Sequence, residues 1–379
     1  MKKVRGQTGP KRAHGGNKGK GVGLCLSVTV GLSCGPTARL VHPVARARSG
    51  PKQTVSRSAS AMGTVVQVRA FFEQRLSAEQ ETDVGEKLEA ALALFVRLEK
   101  LMSPWLPDSE VSRINAAAGK HAVQVSVEVY DAIAQAQHYS QRSQGVFDIS
   151  FHALCGLWSF DENPSQVLPD PEQVRQRLPL VNFRKIELVP GPRTVYLQQS
   201  GMAIHLGGIG KGYAVDAAVA LLRSAGVLSG LVQAGGDLRL FGPAGSPPLH
   251  VGVRDPRSPD PSDFFAVCEV ANHAFSTAGD YERAFLKDGR RYHHILDPRT
   301  GWPARGARSV TVYADDATTA DGLDDIVLVL GPERGLALLE TFPGTAALVV
   351  DENNRVWLSK SLEKLCRIVH PPSQERNAG

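Results

Sequence analysis

The first 60 residues contain no aspartate or glutamate, although they carry 12 of the 43 lysines and arginines. The rest of the chain therefore holds 31 basic and 38 acidic side chains, a net charge of −7. The overall net charge of +5 is a property of one end only. Because the remainder is mildly acidic, the sequence gives no reason to expect a nucleic-acid partner.

The sequence also lacks a run of about 20 apolar residues, the length needed to span a bilayer. A basic stretch, 2–20, is followed by a short, weakly apolar run, 21–34, in the order typical of an export signal. We therefore expect residues 1–57 to be an export signal with a disordered basic segment, and the mature protein to be periplasmic. Cleavage before Cys34 would give a lipid anchor at the inner membrane, and cleavage near Ala47 a soluble protein. A disordered basic extension, or a misplaced start codon, is the alternative to export.

Cysteines are few, and none of the five is spaced as a pair of metal ligands. Three of them, Cys155, Cys268 and Cys366, lie in apolar surroundings and are interpreted as small core residues. Their pattern leaves open whether a disulfide forms.

Neither the P-loop pattern nor the glycine spacing of a dinucleotide-binding turn occurs. Instead, residues 204–216, here called the glycine motif, read IHLGGIGKGYAVD and lead into a predicted helix that ends at about Ala225. Glycines permit close backbone approach, and a helix N-terminus presents unpaired amides to an anion. Lys211 adds a positive charge there. The motif therefore indicates a phosphate site, with a tight turn that needs glycine only for packing as the alternative.

Hydrophobic spacing predicts helices over 82–102, 127–141 and 172–178, and a helical run over 323–330. Strand-like patterns occupy 64–70, 186–188, 195–197, 231–233, 249–253, 265–270, 309–313 and 346–350. This mixture indicates an α+β fold of mixed sheets with interleaved helices. We place this domain at 58–365 and a disordered tail at 366–379.

Two groups of side chains are typical of sites. Asp321 and Asp325 share a helix face, and oxygen ligands at that spacing suit Mg²⁺. An exposed acidic patch at a helix start is the alternative. His293 and His294 end a short predicted strand, so they point to opposite faces and one can exchange a proton at a site. A histidine bonded only to structure is the alternative there.

A series of segments in chain order resembles the FAD:protein FMN transferases, the ApbE family. The resemblance covers roughly residues 58–360 and implies an ApbE-like, T-fold-like domain. It rests on MGT at 62–64, MSPW at 102–105 with DSE at 108–110, GVFDI at 145–149, LGGIGKGYAVD at 206–216, GGD at 235–237, STAGDYER at 276–283, HHILDPRTG at 293–301 and AD at 320–321.

The resemblance implies an Mg²⁺-dependent enzyme that cleaves FAD, attaches FMN to a Thr or Ser of an acceptor flavoprotein and releases AMP. Membrane respiratory subunits are the family's usual acceptors. Catalytic roles fall on His294 and Lys211, and metal ligands are Asp321, Asp325 and the main-chain oxygen of Gly210. His205, which replaces an acid of the family, either slows the chemistry or takes a catalytic role in proton transfer, and the sequence leaves both open. The flavin nucleotide is expected to contact Met62, Met102, Trp105, Asp108, Gly207, Gly208, Lys211, Asp237, Thr277 and Gly279, of which Thr277 and Gly279 are expected in a loop.

Three positions depart from the family pattern. His205 stands where the family has an acidic residue, Ala278 where it usually has Ser, and Asp325 where it has a Thr ligand. The resemblance gives Asp324 no ligand role. Two alternatives stay open: an FAD pyrophosphatase that gives FMN and AMP, and a non-catalytic periplasmic flavin-binding protein whose catalysis is lost through these departures.

Overall fold

An eight-stranded antiparallel sheet, in the order β1-β2-β6-β7-β10-β15-β16-β17, organises the computed structural model, which describes residues 53–160 and 167–374. Its strands are β1 (Gln53–Ala61), β2 (Thr64–Phe72), β6 (Gly230–Ala234), β7 (Asp237–Phe241), β10 (Ala274–Gly279), β15 (Ser309–Ala314), β16 (Ala346–Val350) and β17 (Val356–Leu358). All described residues belong to one compact unit. The predicted α+β class is confirmed.

Four small sheets surround the large one. Their strands are β3 (Val123–Gln124), β4 (Ile186–Val189) and β5 (Thr194–Leu197); β8 (Leu249–Arg254), β9 (Phe264–Val270) and β18 (Cys366–Ile368); the hairpin β11 (Ala284–Lys287) with β12 (Arg290–His293); and the hairpin β13 (Leu296–Asp297) with β14 (Trp302–Pro303). Of the predicted histidine pair, His293 ends β12 and His294 lies in the segment between the two hairpins.

The helices are α1 (Ala78–Met102), α2 (Glu110–Ala116), α3 (Val127–Arg142), α4 (Pro171–Arg177), α5 (Gly210–Ser224), α6 (Ala317–Leu330) and α7 (Pro332–Leu339). Most begin where a side-chain oxygen accepts an otherwise unpaired amide. Ser77 forms a capping box on α1, Ser109 and Ser126 cap α2 and α3, and Asp316 caps α6. Helix α5 has no side-chain cap from its own N-cap residue, Ile209.

The large sheet separates two apolar cores. On one face, buried residues of α1, α5 and α6, such as Phe95, Val215 and Leu323, pack against strand residues such as Val68. On the other face, Leu238 and Leu240 of β7 pack with residues of β8, β9 and β18. Because side chains alternate along a strand, Asp237 and Arg239 of β7 project toward the helices. That alternation places polar groups of β7 beside α5 and α6.

Several boundaries differ from those expected. Strand β1 begins at Gln53, so the boundary predicted between residues 57 and 58 falls inside it. Strand β18 lies beyond the boundary predicted at residue 365, and its Cys366 forms a disulfide with Cys268. The export signal, Cys34 and Ala47 lie outside the described residues. In the part of the chain that is described, no helix is long and apolar enough to cross a membrane.

The loop expected around Thr277 and Gly279 is wrong. Both residues lie on β10, which pairs with β15 along its length and with β7 at one end. Alanine and glycine have weak strand propensity and make up half of β10, so the segment resembles a loop when it is read alone. Its place between two neighbouring strands overrides that preference.

Candidate active site

The start of α5 lies directly against the start of α6. A Cβ atom built on Gly212 would lie 2.8 Å from the Cβ of Asp321 and closer still to the carbonyl oxygen of Ala317. Only glycine allows that approach. The amide of Gly212 donates a 2.8 Å hydrogen bond to Oδ2 of Asp321. The amide of Gly212, which the glycine motif predicts to be a phosphate donor, therefore orients a carboxylate.

Lys211 points toward carboxylates. Its ammonium group donates a hydrogen bond to Oδ2 of Asp237 and lies 3.5 Å from Oδ1 of Asp321. The two carboxylates are 1% and 3% exposed, so solvent screens the pairing little. Burial alone would lower the pKa of Lys211, but Asp237 and Asp321 raise it above its ordinary value. Lys211 is therefore a permanent positive charge that compensates the acidic cluster.

A third buried carboxylate completes the cluster. Asp237, Asp321 and Asp324 each offer one oxygen, and these oxygens lie within 4.8 Å of one another. The hydroxyl of Ser276 donates to Oδ1 of Asp237 and, at 2.6 Å, lies within hydrogen-bond distance of Oδ2 of Asp324. We call Asp237, Asp321 and Asp324 the acidic triad. The resemblance gave Asp324 no ligand role, yet it is three residues from Asp321 on the same helix face.

Burial dominates the protonation of these groups. It raises the pKa of Asp321 to about 7, against the lowering effect of Lys211, and the pKa of Asp324 well above its ordinary value. It also raises the pKa of Asp325 to about 6. A carboxylate is stable in such surroundings only with a proton or a cation beside it.

The donors of the triad fit a hard divalent cation. All are carboxylate oxygens, the ligand type that Mg²⁺ prefers, and no cysteine or histidine belongs to this group. A cation there would compete with protons for the same oxygens. Gly210, the predicted main-chain ligand, begins α5 one residue before Lys211.

The predicted ligand Asp325 lies at the glycine turn. Its Oδ2 is 2.9 Å from the position that a Cβ on Gly208 would occupy, and the ring of His205 lies over Gly207 in the same way. The acidic side chain and the histidine thus flank the two glycines. The departures at positions 205 and 325 therefore both lie at the glycine turn.

Of the residues predicted to contact the flavin nucleotide, only some lie together at the start of α5. Cε of Met62 and Sδ of Met102 lie 3.7 and 3.9 Å from the Cβ position of Gly210, so both methionines face the start of α5. Trp105 is 67% exposed and packs edge-on against His152, with ring centroids 5.4 Å apart. Asp108 is exposed in the turn before α2.

His205 belongs to an aromatic stack. Its ring stacks on His152 with centroids 5.4 Å apart, and Trp105 and Phe151 lie at 6.4 and 5.8 Å. Burial, helped by the neighbouring His152, lowers the pKa of His205 to about 3. Burial likewise lowers the pKa of His152 to about 4. Both rings are therefore neutral at neutral pH.

The two adjacent histidines have different surroundings. Nε2 of His293 lies 2.8 Å from the carbonyl oxygen of Ala304, a bond that holds this ring to the structure. The Nδ1 atoms of both rings are buried and have no hydrogen-bond partner within the described residues. Burial lowers the pKa of His294 to about 3, with His293, Arg283 and Lys211 contributing. His294 is thus a neutral imidazole with an unpartnered nitrogen, and the charge of Lys211 acts on it.

The remaining candidates Thr277 and Gly279 make contacts within the large sheet. Oγ1 of Thr277 lies 2.9 Å from Oγ1 of Thr311 on β15. A Cβ on Gly279 would collide with the ring of Tyr281. The side chain of Thr277 is therefore already engaged across the strands.

Sequence reasoning missed Arg283. Its main-chain carbonyl accepts the amide of His294, and its guanidinium lies 3.5 Å from the Cβ position of Gly63. It also acts electrostatically on both His205 and His294. Its position inside the STAGDYER segment was the available signal, but only the tertiary structure shows which groups it faces.

The chain resembles known proteins over most of its length. The ApbE family model matches residues 62–349. A Treponema pallidum FAD:protein FMN transferase is 33% identical over 364 residues, which cover 92% of this chain and 95% of that protein. The family model and these relatives thus define a flavin transferase.

Solved structures show the same likeness. The ApbE protein from Thermotoga maritima aligns with a TM-score of 0.74 and 33% identity, covering 83% of this chain and 99% of that one. The flavin transferase ApbE from Vibrio cholerae aligns with a TM-score of 0.71 and 26% identity over the same shares. The chain belongs to the ApbE family.

Proposed function

We propose that the protein is an Mg²⁺-dependent FAD:protein FMN transferase. A Thr or Ser hydroxyl of an acceptor protein attacks the phosphorus on the FMN side of the FAD pyrophosphate. The bond from this phosphorus to the bridging oxygen breaks, a phosphoester forms, and AMP leaves with the bridging oxygen. The observation that carries the proposal is a Lys211–carboxylate cluster whose charge acts on His294, a buried histidine with an unpartnered Nδ1.

His294 is the group that accepts the hydroxyl proton. A low pKa keeps it unprotonated, which is the form that a base needs. Anionic phosphates beside it would raise that pKa, because an opposite charge favours the protonated form. Arg283, on the same hairpin, is placed to hold a phosphate oxygen.

The acidic triad would hold Mg²⁺, which when bound supplies charge neutralisation for the phosphates. Lys211 compensates Asp237 and Asp321 and so sets the net charge of the cluster. Met62 and Trp105 offer apolar surface for the flavin or adenine ring, whereas Met102, the third predicted contact, is 3% exposed and belongs to the core. Most of the catalysis is then positioning and electrostatics, as phosphoryl transfer requires.

We also propose that the protein acts in the periplasm, where its acceptor is a subunit of a membrane respiratory complex. The acid-free basic start and the short apolar run after it support export. Attachment to the inner membrane through Cys34 is the lipidated form of this proposal.

The test uses membranes of the native host, purified full-length protein, FAD and Mg²⁺. Mass spectrometry of tryptic peptides should find FMN on a Thr or Ser, with AMP in the supernatant and neither product in EDTA. A His294→Asn variant should bind FAD but lose most of the transfer. Free FMN without a peptide adduct would make water the nucleophile, and intact FAD would overturn catalysis altogether.

A further inference from the structure

Asp216, the last residue of the glycine motif, lies outside the acidic triad and accepts hydrogen bonds from two other elements. Its Oδ1 accepts the amide of Ala317 at 3.0 Å, and its Oδ2 accepts the amide and hydroxyl of Thr318 at 2.8 and 2.5 Å. Arg239 donates to Oδ1 at 2.6 Å from β7. One carboxylate thus joins α5, α6 and β7.

These are the three elements that carry the charged core of the site. Lys211 lies on α5, Asp321 on α6 and Asp237 on β7. Asp237 is two residues from Arg239, so both project from the same face of β7. Asp321 lies one turn after the amides that Asp216 accepts. A shift of any contact to Asp216 would move one of these three groups.

Asp216 also works with Gly212, four residues earlier on the same face of α5. Gly212 brings the backbones of α5 and α6 together, and Asp216 locks them one turn further on. The first amides of α6 are shared between two acids, since Asp316 accepts the amide of Thr319 at 2.7 Å. Asp316 is therefore the N-terminal cap of α6, and Asp216 links α6 by hydrogen bonds to α5 and β7.

We propose that Asp216 is a positioning residue of the metal site, whose carboxylate fixes Lys211, Asp237 and Asp321 relative to one another. This inference rests on the proposed function, because it assumes that the acidic triad binds a divalent cation. Asp216 itself is not a ligand. It acts as an outer group that aligns ligands, and the loss of such groups typically weakens metal binding about 10–100-fold.

The test measures Mn²⁺ binding to the full-length protein by electron paramagnetic resonance, with thermal unfolding in parallel. Asp216→Ala should weaken Mn²⁺ binding at least tenfold. Asp316→Ala is the matched control, since it removes an acid from the same helix end without a contact to α5 or β7 in the described hydrogen bonds. It should lower the unfolding temperature but leave Mn²⁺ affinity within about threefold.

A kinetic readout separates positioning from folding. In Asp216→Asn, the apparent KM for Mg²⁺ should rise while kcat at saturating Mg²⁺ stays near the wild-type value. Arg239→Gln removes only the ion pair between Asp216 and β7, so it should weaken Mn²⁺ binding less than Asp216→Ala does. These milder variants also serve if Asp216→Ala does not fold.

Wild-type Mn²⁺ affinity in Asp216→Ala, or in both milder variants, would overturn the inference. Equal weakening by Asp316→Ala would also overturn it, because loss of the helix end would then be sufficient. A wild-type chain that binds no Mn²⁺ would instead overturn the metal requirement of the proposed function, on which the inference depends. The two failures are therefore distinct.

Discussion

The main-chain amide of Gly212 donates to the carboxylate of Asp321 across the contact between two helices. The glycine motif was expected to present its amides and its lysine to a phosphate. In the structure this amide and Lys211 are directed to carboxylates instead. At the start of α5 the motif therefore brings this amide and the Lys211 ammonium against buried carboxylates of α6 and β7.

Gly212→Ala should separate the two helices. Its Cβ would overlap the backbone of Ala317 and lie 2.8 Å from Cβ of Asp321. Overpacking of this kind typically costs about 1–3 kcal/mol of unfolding free energy, and the Asp321 carboxylate would lose its alignment. Urea unfolding and Mn²⁺ titration measure the two effects. Gly210→Ala is the control, because its nearest neighbours would be at 3.7 Å, and equal losses in both variants would contradict the explanation.

Lys211→Met should destabilise the protein and make it depend on metal. Removing the ammonium leaves Asp237 and Asp321 buried without their partner, and breaking a buried pair typically costs about 3–5 kcal/mol. The 31% exposure of the Lys211 side chain places the expected loss at the low end of that range. Millimolar Mg²⁺ should raise the unfolding temperature of the variant more than that of the wild type. An equal Mg²⁺ effect on both proteins would contradict this role.

Three substitutions distinguish the two possible sets of metal ligands, the acidic triad and the set predicted from sequence. Asp321→Asn and Asp324→Asn should each weaken Mn²⁺ binding at least tenfold, since both oxygens belong to the triad. Asp325→Asn tests the ligand that the family resemblance predicts. Exposed Asp315→Asn is the control and should have no effect. If Asp325→Asn weakens binding and Asp324→Asn does not, the ligand set is the one predicted from sequence.

Arg283→Gln should weaken the binding of phosphate-bearing ligands. Loss of a charge-assisted hydrogen bond typically costs about 1.5–3 kcal/mol, which is at least tenfold in affinity. Calorimetry with FAD, AMP and riboflavin separates the phosphate contact from the ring contact, because riboflavin has no phosphate. Arg254→Gln, which removes a partner of Glu282 nearby, is the control. Unchanged affinity for AMP would rule out the contact.

The stacked histidines, His152 and His205, should make a contribution to stability that is lost in mild acid. Their pKa values are lowered by burial to about 4 for His152 and about 3 for His205, whereas an unfolded histidine titrates near 6.5. Below about pH 6.5 the unfolded chain binds protons that the folded chain does not, so stability rises with pH through this window. Each histidine contributes at most about 1.4 kcal/mol per pH unit.

Comparison of variants isolates this effect, because the raised pKa values of Asp321 and Asp325 act in the opposite direction. Urea unfolding between pH 7.5 and 5 should show a smaller pH dependence for His152→Phe than for the wild type. Substitution of the exposed His121 by Gln should leave the slope unchanged. An identical slope in His152→Phe would contradict the buried, neutral state of the ring.

Much of the fold follows from local patterns. The apolar spacing of α1 and α3 predicts both helices to within a few residues, because amphipathic periodicity records which face is buried. Strands β2 and β16 were also found from their apolar runs. Strand β10 was not predicted, because its small and polar residues form no strand pattern by themselves. Its pairing with the neighbouring strands β7 and β15 makes this segment a strand.

The family and its chemistry could be read from the order of short motifs along the chain. The sequence by itself determined the α+β class, the glycine turn at the start of α5 and the presence of Lys211, Asp321 and His294. Which groups meet was decided only by tertiary structure, because Asp237, Asp321 and Lys211 lie on three elements far apart in sequence. Close packing at Gly212, with the tie at Asp216, turns these separate residues into one site.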